Sequence, residues 1–489
     1  MILTSEQMCE AEKGAFALGV DAGELMETAG SGIARLVDQF HPVPGTCYCF
    51  YGKGHNGGDA LVAARILARS GWKIIERPAF PMPLLSPLSA GMQERLAGQI
   101  TASTAAAPSS SVVVLDGLLG TGARPKPSGE IANAIREINT LRQERGAWVV
   151  SIDLPSGLDP LAGSPIEPTV QADATAMLGF AKAALLADEA TAFVGRLALI
   201  PLDGISPAAG DPWQVSTAAS FREPPYSFER HKGQAGRVAL IAGSTGLTGA
   251  ARLCSAAAAR AGAGLVTLFV PEEIAAQLSA ACIPEVMVLP CRDFREALDF
   301  PCAAIGIGPG LGRKRDAQVL SLVRESTVPT VVDADALNAL SHDPGLLLKV
   351  KGERLLTPHP GEMERLMPRQ GRSRRQWAED FVERYPVTLL LKGARTLIAR
   401  ANAAGFYNST GHPGMASGGM GDVLTGVCTA LAARNSSEMP LTAAEGAWLC
   451  GRAAERATTN PAETQESLLA SDVIGQLGRA FGDLRLGAL

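Results

Sequence analysis

The 489-residue sequence has no excess of positive charge: 44 Lys and Arg stand against 49 Asp and Glu, a formal net charge of −5. Without a global basic field the chain has nothing to hold a polyanion, so nucleic acid is not an expected partner. Residues 1–14 carry neither a basic region nor an apolar run and do not read as a secretory signal. No window of about 18 residues is both strongly apolar and free of charge. The nearest, 253–270, is interrupted by Arg260, and its Ala and Gly content suits a packed helix, so no membrane span is expected. Cysteines number nine, an odd count without a CxxC pair; Cys47 and Cys49 form only a CxC inside an expected strand. They read as small buried hydrophobes in a reducing compartment, not as disulfides or a zinc site. A cytoplasmic globular protein is expected.

The length allows two large domains or about three ordinary ones. At 46% apolar and 19% charged residues, the chain is too apolar to be disordered. Its 53 glycines and 32 prolines follow no collagen period and point to many turns between short elements. Around 203–228 the sequence turns rich in Pro, Ser and Gly and loses apolar periodicity. This places one domain at 1–212, a linker at 213–227 and a second domain at 228–489.

Both halves alternate short apolar runs with amphipathic ones. In the first, strands are expected at 47–51, 112–115, 149–152 and 197–200, with helices at 61–69 and 131–141. In the second, strands are expected at 238–241, 266–270, 304–307, 330–332, 355–356 and 387–391, with helices at 250–262, 315–325, 422–434 and 443–456. A βαβα order implies parallel sheets covered by helices on both faces, an α/β class.

Polar residues collect where such strands end. After the strand at 47–51 comes GKGHNGGD, residues 52–59, running into a helix. Its glycines let backbone N–H groups approach a ligand, and a helix N-terminus favours an anion. It is neither GxGxxG nor a P-loop, and Asp59 could simply cap the helix. The next strand ends at Asp116 before LLGTG, and a third ends at Asp153 before LPSGLD. Asn56, Asp116 and Ser156 offer hard oxygens suited to a monovalent cation.

In the second half the richest segment is NSTGHPGMASGGMGDVLTG, residues 408–426, a glycine-rich loop leading into an apolar-periodic helix. Its N–H groups suit phosphate oxygens. Asp422, in the first turn, is placed to accept a proton from a hydroxyl that attacks phosphorus; capping the helix is the alternative. Lys392 to Thr396 join two strands in a hairpin able to cover a nucleotide. His359 lies at another strand end, and its spacing from His412 does not suit zinc. Loops at 243–250, 306–312 and 332–338 are expected on the same sheet edge, where such folds place ligands.

LTSEQMCEAE, ELMETAG, NGGDALVAAR, LDGLLGTG and DLPSGLD, in that order over residues 1–200, resemble the NAD(P)H-hydrate epimerase family. The resemblance implies a Rossmann-like fold, a bound potassium ion held by Asn56, Asp116 and Ser156, and a hydrated nicotinamide dinucleotide as substrate. The dinucleotide would be lined by His55, Asn56, Gly57, Gly58 and Asp59, and by Gly120, Thr121, Gly122, Ala123, Arg124, Pro125 and Lys126. Asp153 would face the hydrated ring as acid/base. The sequence departs from the family pattern at His55, where a second Asn is usual, at Ala60, where Gly is usual, and at Gly117, where Ala is usual.

HKGQAGRVALIAGS, TGAARL, IGPGLG, VVDADALN, TPHPGEMERL, LKGARTLI and GMASGGMGDVLTG resemble the ADP- or ATP-dependent NAD(P)H-hydrate dehydratase family, of ribokinase-like fold, over 228–489. The resemblance implies that Asp422 is catalytic and contacts the hydrate with Ala250, Gly310 and His359. It implies that Lys392, Gly393, Ala394, Arg395, Thr396 and Gly421 bind the adenine nucleotide, ADP or else ATP, with magnesium. His412 stands where Asn is frequent. Together the halves imply repair of hydrated NADH and NADPH (NADHX and NADPHX), small molecules, by a chain that self-associates. The alternative is a ribokinase-like small-molecule kinase carrying a non-catalytic dinucleotide-binding module.

Overall fold

A parallel sheet and a mostly parallel one, each wrapped by helices, follow from this alternation. The computed structural model describes residues 1–102, 111–122, 126–221, 226–434, 438–459 and 463–489. The chain divides into two compact units, Met1–Val215 with Leu489, and Ser216–Ala488. Within the stretch expected to link them lie a short strand, Gln214–Ser216, and a single 3-10 turn, Ala218–Ser220. Among the described residues no helix is long and apolar enough to cross a membrane.

The first unit holds a six-stranded sheet in the order Lys73–Pro78, Thr46–Tyr51, Val112–Gly117, Trp148–Ile152, Ala174–Leu178, Arg196–Ile200, every neighbouring pair parallel. The first strand in sequence, Thr46–Tyr51, lies between the second and third, so connections leave it in opposite directions. That reversal opens a crevice at the carboxyl ends of Thr46–Tyr51 and Val112–Gly117. Helix His55–Arg69 closes on the sheet with Gly57 to Ala64 all buried. Asp21 caps helix Ala22–Phe40 by accepting the Glu24 N–H, and Gly146, left-handed, ends helix Gly129–Arg145.

The second unit holds nine strands of one sheet, from Val286–Cys291 through Leu265–Pro271, Arg237–Ile241, Ala304–Ile307, Thr330–Val332, Arg354–Leu356 and Thr388–Leu391 to Leu397–Ala399 and Phe406–Asn408; Gln214–Ser216, where the units divide, is the tenth. It is parallel as far as Thr388–Leu391; Leu397–Ala399 and Phe406–Asn408 then run antiparallel, which makes residues 388–399 the expected hairpin. Here Arg237–Ile241 is the strand of reversal, between Leu265–Pro271 and Ala304–Ile307. Helices Thr248–Arg260, Met420–Ala432 and Met439–Thr458 supply much of the core, among them Val427, Trp448 and Leu449. All nine cysteines are free thiols.

Candidate functional sites

In the first unit three strand-end segments meet around Asp116, which is completely buried. Its carboxylate accepts from the Ser151 hydroxyl at 2.7 Å, the Ser156 hydroxyl at 2.6 Å and the Ser156 N–H at 2.9 Å. Ser156 Oγ in turn accepts the Leu119 N–H at 3.0 Å, and Asn56 donates to the Leu119 carbonyl at 2.8 Å. Asn56, Asp116 and Ser156, more than sixty residues apart at the extremes, thus form one hydrogen-bonded cluster. Burial pushes the Asp116 carboxyl up, while its hydrogen bonds oppose the shift. These partners are all neutral, so a bound cation would relieve a charge they leave uncompensated. The oxygens of Asp116, Ser156, Asn56 and the Leu119 carbonyl form a hard donor set that fits potassium.

Helix His55–Arg69 begins at Gly54, which provides no side-chain cap. Asp59 does not cap it either; it is buried inside the unit. The helix start is left open to an anion. A Cβ on Gly57 would lie 2.3 Å from the Gly52 carbonyl oxygen, so the turn admits only glycine there. A cavity of about 190 Å³ opens beside the cluster, lined by Gly120, Lys126, Leu154, Gly157, Asp159 and Ile166. Thr121 and Gly122 follow Gly120 at the surface, while Ala123, Arg124 and Pro125 lie outside the described residues. His55 is exposed at the helix start. Asp153 is 8% exposed and left-handed, with φ 65°, a conformation costing about 1–3 kcal/mol in a non-glycine residue.

Two departures from the family pattern are a single exchange. A Cβ on Gly117 would sit 2.6 Å from the Ala60 Cβ. The methyl expected at 117 is carried at 60 instead, and the space between strand and helix is filled once.

In the second unit four elements converge on Asp333, at the end of strand Thr330–Val332 and 1% exposed. Lys392, at the end of strand Thr388–Leu391, donates to Asp333 Oδ1 at 2.8 Å and lies 3.8 Å from Glu362 Oε2. Thr425, on helix Met420–Ala432, donates to Asp333 Oδ2 at 2.8 Å. Burial draws the Lys392 ammonium down, but Asp333 and Glu362 outweigh it and the net direction is up. Asp422 lies in the first turn of that helix, whose left-handed N-cap, Gly419, offers no side-chain acceptor. Asp422 therefore does not serve as the cap. Burial first, and then the charge of Asp333, raise its carboxyl to about 6, against the pull of Lys392. A Cβ on Gly421 would lie 3.3 Å from Lys392 Nζ and 3.4 Å from Asp333 Oδ2, so its backbone borders the same ion pair.

Around this centre the strand-end loops interlock. Ser244 donates to the Gly310 carbonyl at 2.8 Å, and the Gly312 N–H to Asp335 at 2.8 Å. Gly310 is left-handed, and a Cβ on it would lie 3.0 Å from that of Ala250, which makes these two residues neighbours. His359 caps helix Pro360–Leu366, its Nδ1 accepting the Gly361 N–H at 3.0 Å, and its half-exposed ring reaches Glu362 at 3.5 Å. In the hairpin Gly393 and Ala394 are exposed, Arg395 is buried, and Thr396 donates to the Gly393 carbonyl at 3.3 Å.

Sequence reasoning assigned no role to Asp333, Glu362, Thr425 or Arg374, although the first three lie inside quoted motifs. Arg374 donates to the carbonyls of Lys392 and Arg395 at 3.2 and 3.0 Å and so braces the hairpin. It also missed Lys182, whose signal was a single cation inside the apolar run 179–187.

Two family models match the chain: "NAD(P)H-hydrate dehydratase" over residues 238–476 and "YjeF-related protein N-terminus" over 22–184. The bifunctional NAD(P)H-hydrate repair enzyme of Moorella thermoacetica is 34% identical, over 92% of this chain and 90% of its own. That of Coxiella burnetii is 32% identical over 98% of each. Among solved structures, the ADP/ATP-dependent NAD(P)H-hydrate dehydratase of Bacillus subtilis, co-crystallised with ATP and Mg²⁺, is 28% identical. It covers 54% of this chain and 94% of its own, with a TM-score of 0.47.

Proposed function

The chain belongs to the bifunctional NAD(P)H-hydrate repair enzymes, and on that premise we propose how its two units divide the work. The first interconverts the R and S hydrates at C6 of the nicotinamide ring, with Asp153 as acid/base. The second dehydrates the S hydrate, converting ADP to AMP and phosphate, with ATP as the alternative donor. The observation that carries this reading is Asp422, half-buried in an uncapped helix start, raised to about 6 and bordering the Lys392–Asp333 pair.

Asp422 takes the proton of the C6 hydroxyl as its oxygen attacks the terminal phosphorus, and AMP departs. The N–H groups at the start of helix Met420–Ala432 stabilise the phosphate oxygens. Loss of a proton from C5 with breakage of the C6–O bond then releases phosphate and restores the double bond. When bound, magnesium would neutralise phosphate charge, held mainly through the phosphates and water with the buried Asp333 carboxylate beside them, while Asp422 stays free to act as base. Ala250, Gly310 and His359 contact the hydrate, and residues 392–396 with Gly421 hold the nucleotide.

In the first unit Asn56, Asp116 and Ser156 would hold potassium, whose charge would offset that of Asp116 and favour the anionic dinucleotide. Residues 55–59 and 120–126 line that dinucleotide. The free thiols fit a cytoplasmic enzyme. Self-association belongs to the same reading and is measured by sedimentation.

The test mixes the purified chain with chemically hydrated NADH, magnesium and ADP, and follows the reduced-nicotinamide absorbance together with phosphate release. Recovery that requires nucleotide, and is lost in Asp422→Ala, is expected. A stable phosphoester without released phosphate would instead identify a small-molecule kinase.

A further inference from the structure

Lys182 is 1% exposed, within an apolar run. It lies on the short strand Ala181–Lys182, which pairs in parallel with Ile2–Leu3, Leu3 opposite Lys182. Its ammonium forms an ion pair with Asp153 and donates to the Leu178 carbonyl at 2.5 Å. Three more ionisable groups face this pair: Glu12 and Cys9 from helix Ser5–Ala17, and Asp59 from helix His55–Arg69. Lys13 adds positive charge beside Cys9. Burial, and then the charge of Asp153, push Asp59 well up; burial also pushes Glu12 up, with Lys182 pulling it back.

An ammonium in such a place costs several kcal/mol to desolvate, and a buried ion pair adds little net stability over an apolar pair of the same volume. Methionine would fill the space of Lys182 at less cost. What only a cation supplies is a charge-assisted anchor for the Asp153 carboxylate, one of three carboxyls clustered here.

Resting on the epimerase reading above, we infer that Lys182 is a positioning residue for epimerisation: its buried ammonium, itself anchored on the Leu178 carbonyl, fixes the Asp153 carboxylate toward the hydrated ring. Asp153 stands on a left-handed backbone, and its carboxylate is tied by the ion pair to Lys182.

The test is Lys182→Met in the full chain, with conversion of the R hydrate to the S hydrate followed at several substrate concentrations. At pH 7, kcat is expected to fall about tenfold or more, with KM changed less than about threefold. Dehydration of the S hydrate by the same chain is unchanged. Lys182→Arg, which keeps the charge, restores the rate to within about fivefold. If Lys182→Met melts early, Lys182→Arg against Lys182→Gln carries the same comparison. A Met variant with the original rate overturns the inference, as does a loss carried by KM with kcat unchanged, or an Arg variant as slow as the Met one. An unsubstituted chain that does not speed the interconversion overturns the epimerase reading, and the inference with it.

Discussion

The dehydratase unit makes a quantitative prediction about acidity. An aspartate at its ordinary value, 3.8, stays more than about 90% ionised down to pH 5. Asp422, at about 6, is about 90% ionised at pH 7 and about 10% ionised at pH 5. If it is the base that takes the hydroxyl proton, only its ionised form works, so phosphate release should fall about tenfold from pH 7 to pH 5. The cause can be tested separately. The charge of Asp333 is the second contribution raising Asp422, and Lys392 opposes it. Asp333→Asn removes the like charge and leaves the cation, so the acid limb should move to lower pH. Asp422→Asn should reduce kcat about 10²–10⁴-fold at every pH. The assay is initial phosphate release at saturating ADP and magnesium, which avoids the acid lability of the nicotinamide product. A rate flat from pH 7 to 5, or a limb that Asp333→Asn moves to higher pH, would refute the reasoning.

Asp153→Asn should lower conversion of the R hydrate about 10²–10⁴-fold while S-hydrate dehydration is untouched, as shown by following the two epimers chromatographically. Gly117→Ala should destabilise the first unit by about 1–3 kcal/mol through the 2.6 Å approach to Ala60, and adding Ala60→Gly should recover part of that in a denaturant titration. Arg452 bonds Glu455 at 2.8 Å and Asp483 at 2.6 Å, with both Arg452 and Glu455 1% exposed. Arg452→Ala should therefore cost about 3–5 kcal/mol, seen as a lower melting temperature. It should also loosen the glycine-rich loop, because Glu455 accepts the Gly411 N–H at 2.9 Å. Replacing potassium with a bulky organic cation should slow R-hydrate conversion and leave S-hydrate dehydration unchanged.

Much of the fold was legible because its signals are local. The apolar runs at 47–51, 149–152, 238–241 and 304–307 became central strands, since a strand buried on both faces has no polar positions to interrupt it. The strands that escaped notice break that pattern. Lys73–Pro78 and Val286–Cys291 are partly exposed strands at sheet edges, and Ala174–Leu178 is rich in alanine. Glycine-rich turns were legible for a similar reason: the close approach of Gly57 to Gly52 is a demand between near neighbours in sequence.

The amino-acid sequence by itself determined the α/β class, the two glycine-rich helix starts and the acids at strand ends. Each follows from backbone geometry within a few residues. Only the tertiary structure decided which of those acids share a site. Lys392 and Thr425 reach Asp333 from 59 and 92 residues away, because sheet order sets their strand and helix beside its own. Lys182 meets Asp153 across a two-residue strand no periodicity announces, and Ala60 fills the space that Gly117 vacates. Distance along the chain carries no information about such pairs; the order of strands in the sheet and the volume available between them do.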